Sequence, residues 1–231
     1  MAGIGTIINV LGVVLGSIAG IFVKKGISEK LRKNLIRVQG LGVVILGLSG
    51  VLSKLGSGKN DELVLLLSLV IGTFIGEVLG LEEGIEGFGE RLKKKFGKGE
   101  EGFAQGFLLS SLTMCIGAMG IIGALNDALY GDISLLLSKT VLDTFTAFML
   151  AGFYGIGVLF SVLPLAIWQG GFTLLAGALA PYLTELVLHN LSLVGSALIL
   201  GIGINLLFDS ELPLANMLPS LILAVLFAAF L

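Results

Sequence analysis

From residue 4 onward the chain is a succession of apolar runs, broken by short polar links. A hydrocarbon core about 30 Å thick is crossed by about 20 apolar residues of helix. Lipid offers no partner to a free backbone N–H or C=O, so each such run must close its hydrogen bonds internally, as a helix. Eight segments approach this length: 4–23, 36–55, 62–80, 104–128, 138–160, 164–188, 192–208 and 212–231. The last four are joined by short links, which leaves seven crossings as the alternative to eight. The expected fold is an all-α integral membrane protein of seven to eight transmembrane helices, arranged as repeated hairpins with some helices broken. Residues 1–231 then form a single polytopic membrane domain.

Composition excludes the soluble alternative. Charged residues make up 13% of the chain and hydrophobic residues 55%, whereas a soluble domain covers its surface with about 25% charged residues. The mean hydropathy is +1.04. Cys115 is the only cysteine, so neither a disulfide framework nor a thiolate metal site is available. The first apolar run has no basic stretch before it and no small-residue cleavage site after it, and so reads as a retained helix.

Of the 14 Lys and Arg residues, only Lys139 lies beyond residue 100. The first link carries Lys24, Lys25, Lys30, Arg32, Lys33 and Arg37, and the third carries Arg91, Lys93, Lys94, Lys95 and Lys98. The second has only Lys54 and Lys59. Basic loops stay in the cytoplasm and acidic residues count little, so Glu82, Glu83, Glu86 and Glu90 do not weaken the bias. The expectation is an inner-membrane protein with its N-terminus outside. No basic patch suited to nucleic acid remains.

Internal order recurs in both halves. Gly12, Gly16 and Gly20 return 60 residues later as Gly72, Gly76 and Gly80 (72 − 12 = 60). Gly155-Ile156-Gly157 followed by Leu163-Pro164-Leu165-Ala166 returns as Gly201-Ile202-Gly203 followed by Leu212-Pro213-Leu214-Ala215. This suggests duplicated hairpins, about 1–58 with 61–128 and about 139–188 with 192–231. Small residues at this spacing let helices approach closely, within one chain or in a homodimer. Aligning the two LPLA motifs sets Gly170-Gly171 opposite Pro219-Ser220. Helix breakers at matching places point to discontinuous helices around a site.

An ionisable residue within the bilayer is costly and marks a site by default. Glu77, near the inner end of its segment, either snorkels to the interface or joins a pathway. Lys139 and Asp143, four residues apart, share one helix face. They are either a mutually neutralising pair or the charged part of a solute or proton pathway. Asn126 and Asp127 end the preceding segment on the same side. Asp132 reads as a loop residue or a cap for the next helix. In the fourth segment, Gly117, Gly120 and Gly123 favour close packing; the alternative is a locally unwound helix with freed carbonyls. Gln169, Asn205 and Asn216 are neutral polar groups near the matched breakers. His189 reads as solvated or interfacial, and Trp168 as an interfacial anchor or a wall beside Gln169. No phosphate loop, metal spacing or Ser/His/Asp set is present, so no enzyme, cofactor or metal is expected.

The run Gly120-Ile121-Ile122-Gly123-Ala124-Leu125-Asn126, then Gly131-Asp132, then Leu137-Ser138-Lys139-Thr140-Val141-Leu142-Asp143, resembles the YdfK/YqgA family of bacterial membrane proteins. The closing Asn216-Met217-Leu218-Pro219-Ser220-Leu221-Ile222-Leu223-Ala224 is similar to that family's C-terminal signature, and Gly76-Glu77 also fits. The resemblance spans nearly the whole chain. It implies a multi-pass inner-membrane protein with no assigned activity and hands over no site residues. The leading expectation is a secondary transporter or channel-like carrier of an ion or small polar solute, with the bilayer as its other partner. Lys139, Asp143, Asn126, Asp127, Gln169, Asn205, Asn216 and Glu77 would line the pathway. The alternative is a non-transporting scaffold or regulatory subunit. Reporter fusions after Lys33 and Lys95 should both report cytoplasm; a periplasmic signal at both sites would reverse the orientation.

Overall fold

The computed structural model describes residues 3–24, 29–58, 60–96, 102–115 and 118–230, and among these there is no strand. Lys25, Lys59, Lys98 and Gly117 lie outside the described residues, as do the side chains of Lys24, Arg32, Glu86, Lys93 and Lys95. The helices are α1 (Ile4–Lys24), α2 (Glu29–Lys54), α3 (Asp61–Leu79), α4 (Leu81–Phe96), α5 (Phe103–Cys115), α6 (Ala118–Tyr130), α7 (Ser134–Tyr154), α8 (Val162–Leu174), α9 (Ala176–Leu179), α10 (Glu185–Phe208) and α11 (Pro219–Phe230). A 3-10 stretch, Gly155–Ser161, links α7 to α8.

The helices expose large apolar side chains and bury small or polar ones, the reverse of a soluble protein. On α1, Ile7, Leu11, Leu15 and Phe22 face outward while Asn9, Val13 and Ser17 are buried. On α3, Leu66, Val70, Phe74 and Val78 are exposed while Asp61, Val64, Ser68, Gly72 and Gly76 are buried. Lipid is the medium that stabilises such a surface, so the chain is a membrane protein.

The crossing count falls short of the seven to eight expected. Among the described residues five stretches are long and apolar enough to cross, or six if α5 and α6 are one broken span. The reason is length: α5, α6 and α8 have 13 residues each and α11 has 12, below the roughly 17 needed to span. One of the five, Ser134–Leu174, runs to 41 residues and folds back on itself. Asp143 on α7 and Gln169 on α8 both hydrogen-bond the amide nitrogen of Asn9. A straight helix would hold two residues 26 apart at about 39 Å. The 3-10 stretch therefore reverses the chain. The third link is also more than a loop, since most of it is the amphipathic helix α4.

Contacts divide the chain into two units, each drawing helices from both halves of the sequence. In the first, α1 runs parallel to α7: Gly5 meets Leu136, Gly12 meets Thr140 and Thr144, and Gly20 meets Phe148 and Ala151. It runs antiparallel to α8, through Asn9 with Gln169 and Thr6 with Thr173. α5 and α6 follow α7 in the opposite direction, with Gly106 against Tyr154, Gly120 against Lys139 and Gly123 against Leu136. Asp132 accepts from the N–H of Ser134 at the start of α7. The side-chain and backbone bonds from Ser134 hold its carboxyl below the ordinary value.

In the second unit, α3 lies parallel to α10, through Asp61 with His189 and Val64 with Val194. It lies antiparallel to α11, with Gly72 on Ser220 and Gly76 on Asn216. α2 packs antiparallel to α10 through Gly40, Gly47, Gly50 and Gly203. His189 is not a loop residue: its Nε2 is 2.9 Å from Asp61 Oδ1, and Asp61 also accepts from the N–H groups of Gly56 and Gly58.

Gly12, Gly16 and Gly20, and Gly72 and Gly76, are thus occupied within the chain, while Gly80 caps α3 at φ 60°. A Cβ at Gly16 would collide with the Thr144 carbonyl, whereas one at Gly42 would meet nothing within 4 Å. Gly16→Val should lower the unfolding free energy in mixed micelles by about 1–3 kcal/mol. Gly42→Ala should leave it unchanged or raise it by about 0.5–1 kcal/mol. Equal effects of the two substitutions would contradict this packing.

Candidate functional site

On α7 the residues that face inward are Leu136, Lys139, Asp143, Ala147, Leu150 and Ala151. Their spacing of three and four is one stripe of a helix. Leu137, Val141, Leu142 and Phe145, on the other side, are exposed. The chain therefore places its only charged residues on this helix into the protein, not into lipid. Asp143 lies nine residues into α7, about 14 Å from its start, close to half the depth of a bilayer core.

There the Lys139 Nζ donates to Asp143 Oδ2 at 2.5 Å and to the Met114 carbonyl at 2.9 Å. Met114 is the penultimate residue of α5, where the fourth segment is interrupted. A carbonyl oxygen carries partial negative charge, which an ammonium complements. Gly117, where the packed and unwound readings of this segment differ, lies outside the described residues. Gly120 leaves room for the lysine stem, since a Cβ there would lie 3.2 Å from Lys139 Cε.

Asn9 of α1 completes the cluster. Its Nδ2 donates to Asp143 Oδ2 and to Gln169 Oε1, each at 2.9 Å. Asn9 is 0% exposed, Gln169 1%, and Lys139 and Asp143 7% each. Two atoms of this cluster, Asn9 Oδ1 and Gln169 Nε2, are buried without a hydrogen-bond partner. One is an acceptor and the other a donor, so the cluster retains polar capacity of both kinds. Toward the start of α1, Thr6 and Thr173 share a 3.0 Å bond and Thr173 donates to the Gln169 carbonyl.

The structure brings Lys139, Asp143 and Gln169 together as one site. Asp127 is placed differently, on the N-terminus of α1: its Oδ2 accepts from the Gly5 N–H at 2.9 Å. A carboxylate at that end is favoured by the helix dipole. Asn126 is half-buried beside it, and its carbonyl accepts from the Asp132 N–H. The other three candidates belong to the second unit. Asn216 Nδ2 donates to Glu77 Oε2 at 2.7 Å while its Oδ1 accepts from the Glu82 N–H, pinning the α3–α4 corner. Asn205 closes the turn after α10, bonding Ser210 and both backbone groups of Leu212.

The matched breakers do not break matching helices. Gly170 and Gly171 lie inside α8, and Pro219 is the first residue of α11, where its missing N–H costs nothing. The two LPLA motifs also differ, one helical and one in the turn before α11. Trp168 points outward, edge-on to Phe172 at 5.1 Å. Sequence reasoning missed Asn9 altogether. The only signal was a lone amide in the first apolar run, five residues past the helix start. Among the described residues no His, Cys, Asp or Glu group could hold a metal.

A family described as a protein of unknown function (DUF554) matches residues 4–229, and the chain belongs to it. The chain is 32% identical over 219 residues to the uncharacterized membrane protein YdfK of Bacillus subtilis (strain 168), covering 95% of this chain and 93% of that one. It is 30% identical over 227 residues to the uncharacterized protein YqgA of Escherichia coli (strain K12), covering 96% and 94%. No solved structure matches.

Lys139→Ala would leave a buried carboxylate without its counter-charge and the Met114 carbonyl without its donor. It should destabilise the protein by about 3–5 kcal/mol in micelle unfolding, with the double change Lys139→Met, Asp143→Leu recovering much of the loss. A single variant as stable as wild type would show that the pair is not held as described.

Proposed function

We propose that this DUF554 member is a secondary transporter or channel-like carrier of an ion or small polar solute, with Lys139, Asp143, Asn9 and Gln169 as its binding cluster. The observation that carries the reading is the pair of unused polar atoms, Asn9 Oδ1 and Gln169 Nε2, beside a buried ion pair. Purely structural polar groups in a protein interior are normally satisfied. Open polar atoms also occur at Ser17, Ser68, Asp127, Asn190 and Ser220; the pair at Asn9 and Gln169 differs in lying beside a buried ion pair, which fits a site that exchanges its occupant. The Met114 carbonyl bonded to Lys139 supports this, because backbone carbonyls supply ligands in carriers. No covalent step or cofactor is required.

Each unit sets a glycine-bearing helix parallel to one arm and antiparallel to the other arm of a reversed pair: α1 with α7 and α8, α3 with α10 and α11. His189 precedes Gly201 by 12 residues, as Asp143 precedes Gly155. These correspondences favour descent by internal duplication. The basic links favour residence in the inner membrane with the N-terminus outside.

A second reading takes the cluster as a pin for helix register in a scaffold or regulatory subunit. It is favoured by the mutual neutralisation of Lys139 and Asp143 and by the tight α1–α7 contact beside them. Flux into proteoliposomes separates the two. A panel of ions and small polar solutes should include at least one whose uptake falls at least tenfold in Asp143→Asn. If nothing in the panel moves, or the substitution changes no rate, the scaffold reading is the better one.

A further inference from the structure

The oxygen atoms of the cluster come from separate helices: Asp143 Oδ2 from α7, the Met114 carbonyl from α5, Asn9 Oδ1 from α1 and Gln169 Oε1 from α8. Oxygen donors of this kind select hard cations. The Lys139 ammonium already bridges two of them, the carboxylate and the carbonyl. A tethered cation thus occupies the position where a free one would bind. Asn9 Oδ1 stands apart from that pairing: it is buried, has no donor, and belongs to a residue whose other side-chain atom is bound to Asp143.

Charge decides which solute fits. Lys139 and Asp143 sum to zero, and buried charge is tolerated only when paired. An anion would stand against the Asp143 carboxylate. A divalent cation would leave a positive charge that one carboxylate cannot balance. A monovalent cation that takes the place of the ammonium proton's charge leaves the site neutral before and after.

We propose that this cluster is a monovalent-cation site in which the Lys139 ammonium stands in for the cation, and that cation binding releases one proton from Lys139. This rests on the transport reading above and supplies its substrate class. The exchange balances: Asp143 carboxylate with Lys139 ammonium, plus a cation, gives Asp143 carboxylate with the cation, Lys139 as neutral amine, and a proton delivered to water. The amine keeps N–H groups for the Met114 carbonyl. Asn9 Oδ1 becomes a cation ligand, and Gln169 Nε2 donates to a water carried with the ion. The cycle is an electroneutral cation–proton exchange.

The test uses the full chain in detergent, weakly buffered, with LiCl, NaCl and KCl added against choline chloride. Proton release is followed with a pH indicator and cation binding by calorimetry. Wild type should release about one proton per chain with at least one of these salts, and affinity should tighten about tenfold per pH unit. Lys139→Gln leaves Asp143 as the cluster's only proton carrier, and Lys139→Gln combined with Asp143→Asn should neither bind the cation nor release a proton. Lys139→Arg keeps the ion pair but cannot give up its proton, so it should stay folded, release nothing and bind no cation. A wild type that neither binds nor releases protons with any of the three salts overturns the cation assignment, as does Lys139→Arg releasing protons like wild type. If the cation assignment fails while Asp143→Asn still abolishes flux of an uncharged solute, the transport reading stands alone. If protons are released but nothing is transported, the cation site stands without the carrier.

Discussion

In a hydrocarbon core, a backbone carbonyl at the end of a helix has no water to turn to. The carbonyl of Met114, on α5, accepts from the Lys139 ammonium, which reaches it from a helix 25 residues further along the chain. The bond in turn fixes where the lysine sits, and the lysine fixes Asp143, four residues along the same face of α7. Asp143 then organises the amides of α1 and α8, through Asn9. A single backbone carbonyl is thus linked to the placement of three other helices.

Glycine does the complementary work of letting those helices approach. On α1, Gly12, Gly16 and Gly20 lie against backbone and threonine side chains of α7, so this pair is held by close backbone contact. Water is absent from lipid-facing surfaces, and association depends on such close contact more than on apolar burial. The same residue type on α3 meets a different partner, the start of α11 at Asn216 and Ser220. Equal spacing in sequence therefore serves two distinct interfaces, and the shared GxxxG pattern says only that some close partner exists.

What sequence made legible follows from which forces are local. The membrane class, the all-helical fold and the boundaries of α1 and α3 come from runs of apolar residues, and these needed no tertiary information; α10 begins at Glu185, seven residues before the expected segment (192 − 185 = 7). Lys139 and Asp143 were visible because ionisable residues are rare in such runs and their spacing of four is local. Helix number was less accessible, because hydropathy cannot tell a 21-residue span from a 13-residue segment that stops short and turns back. The breakers misled for a related reason: Gly170 and Gly171 are held helical by α8's own hydrogen bonds, and Pro219 sits where a helix begins. Asn9 was illegible since nothing near it in sequence marks it. Its partners are 134 and 160 residues away. Asn205 and Asn216 looked like pathway residues, yet both use their amides to hold backbone turns, a task that composition cannot separate from ligand binding.

The distance in sequence between Asn9 and Asp143 also has a meaning in time. Synthesis delivers α1 first, and the 134 residues that separate the two take roughly 7–27 s to translate at 5–20 residues per second. Through that interval the amide of Asn9 lies within a new helix whose intended partners do not yet exist. It must face lipid, a neighbouring helix or the insertion machinery in the meantime. The first unit can close only after α8 has emerged, so α1 is made well before its partners and is among the last helices to be settled.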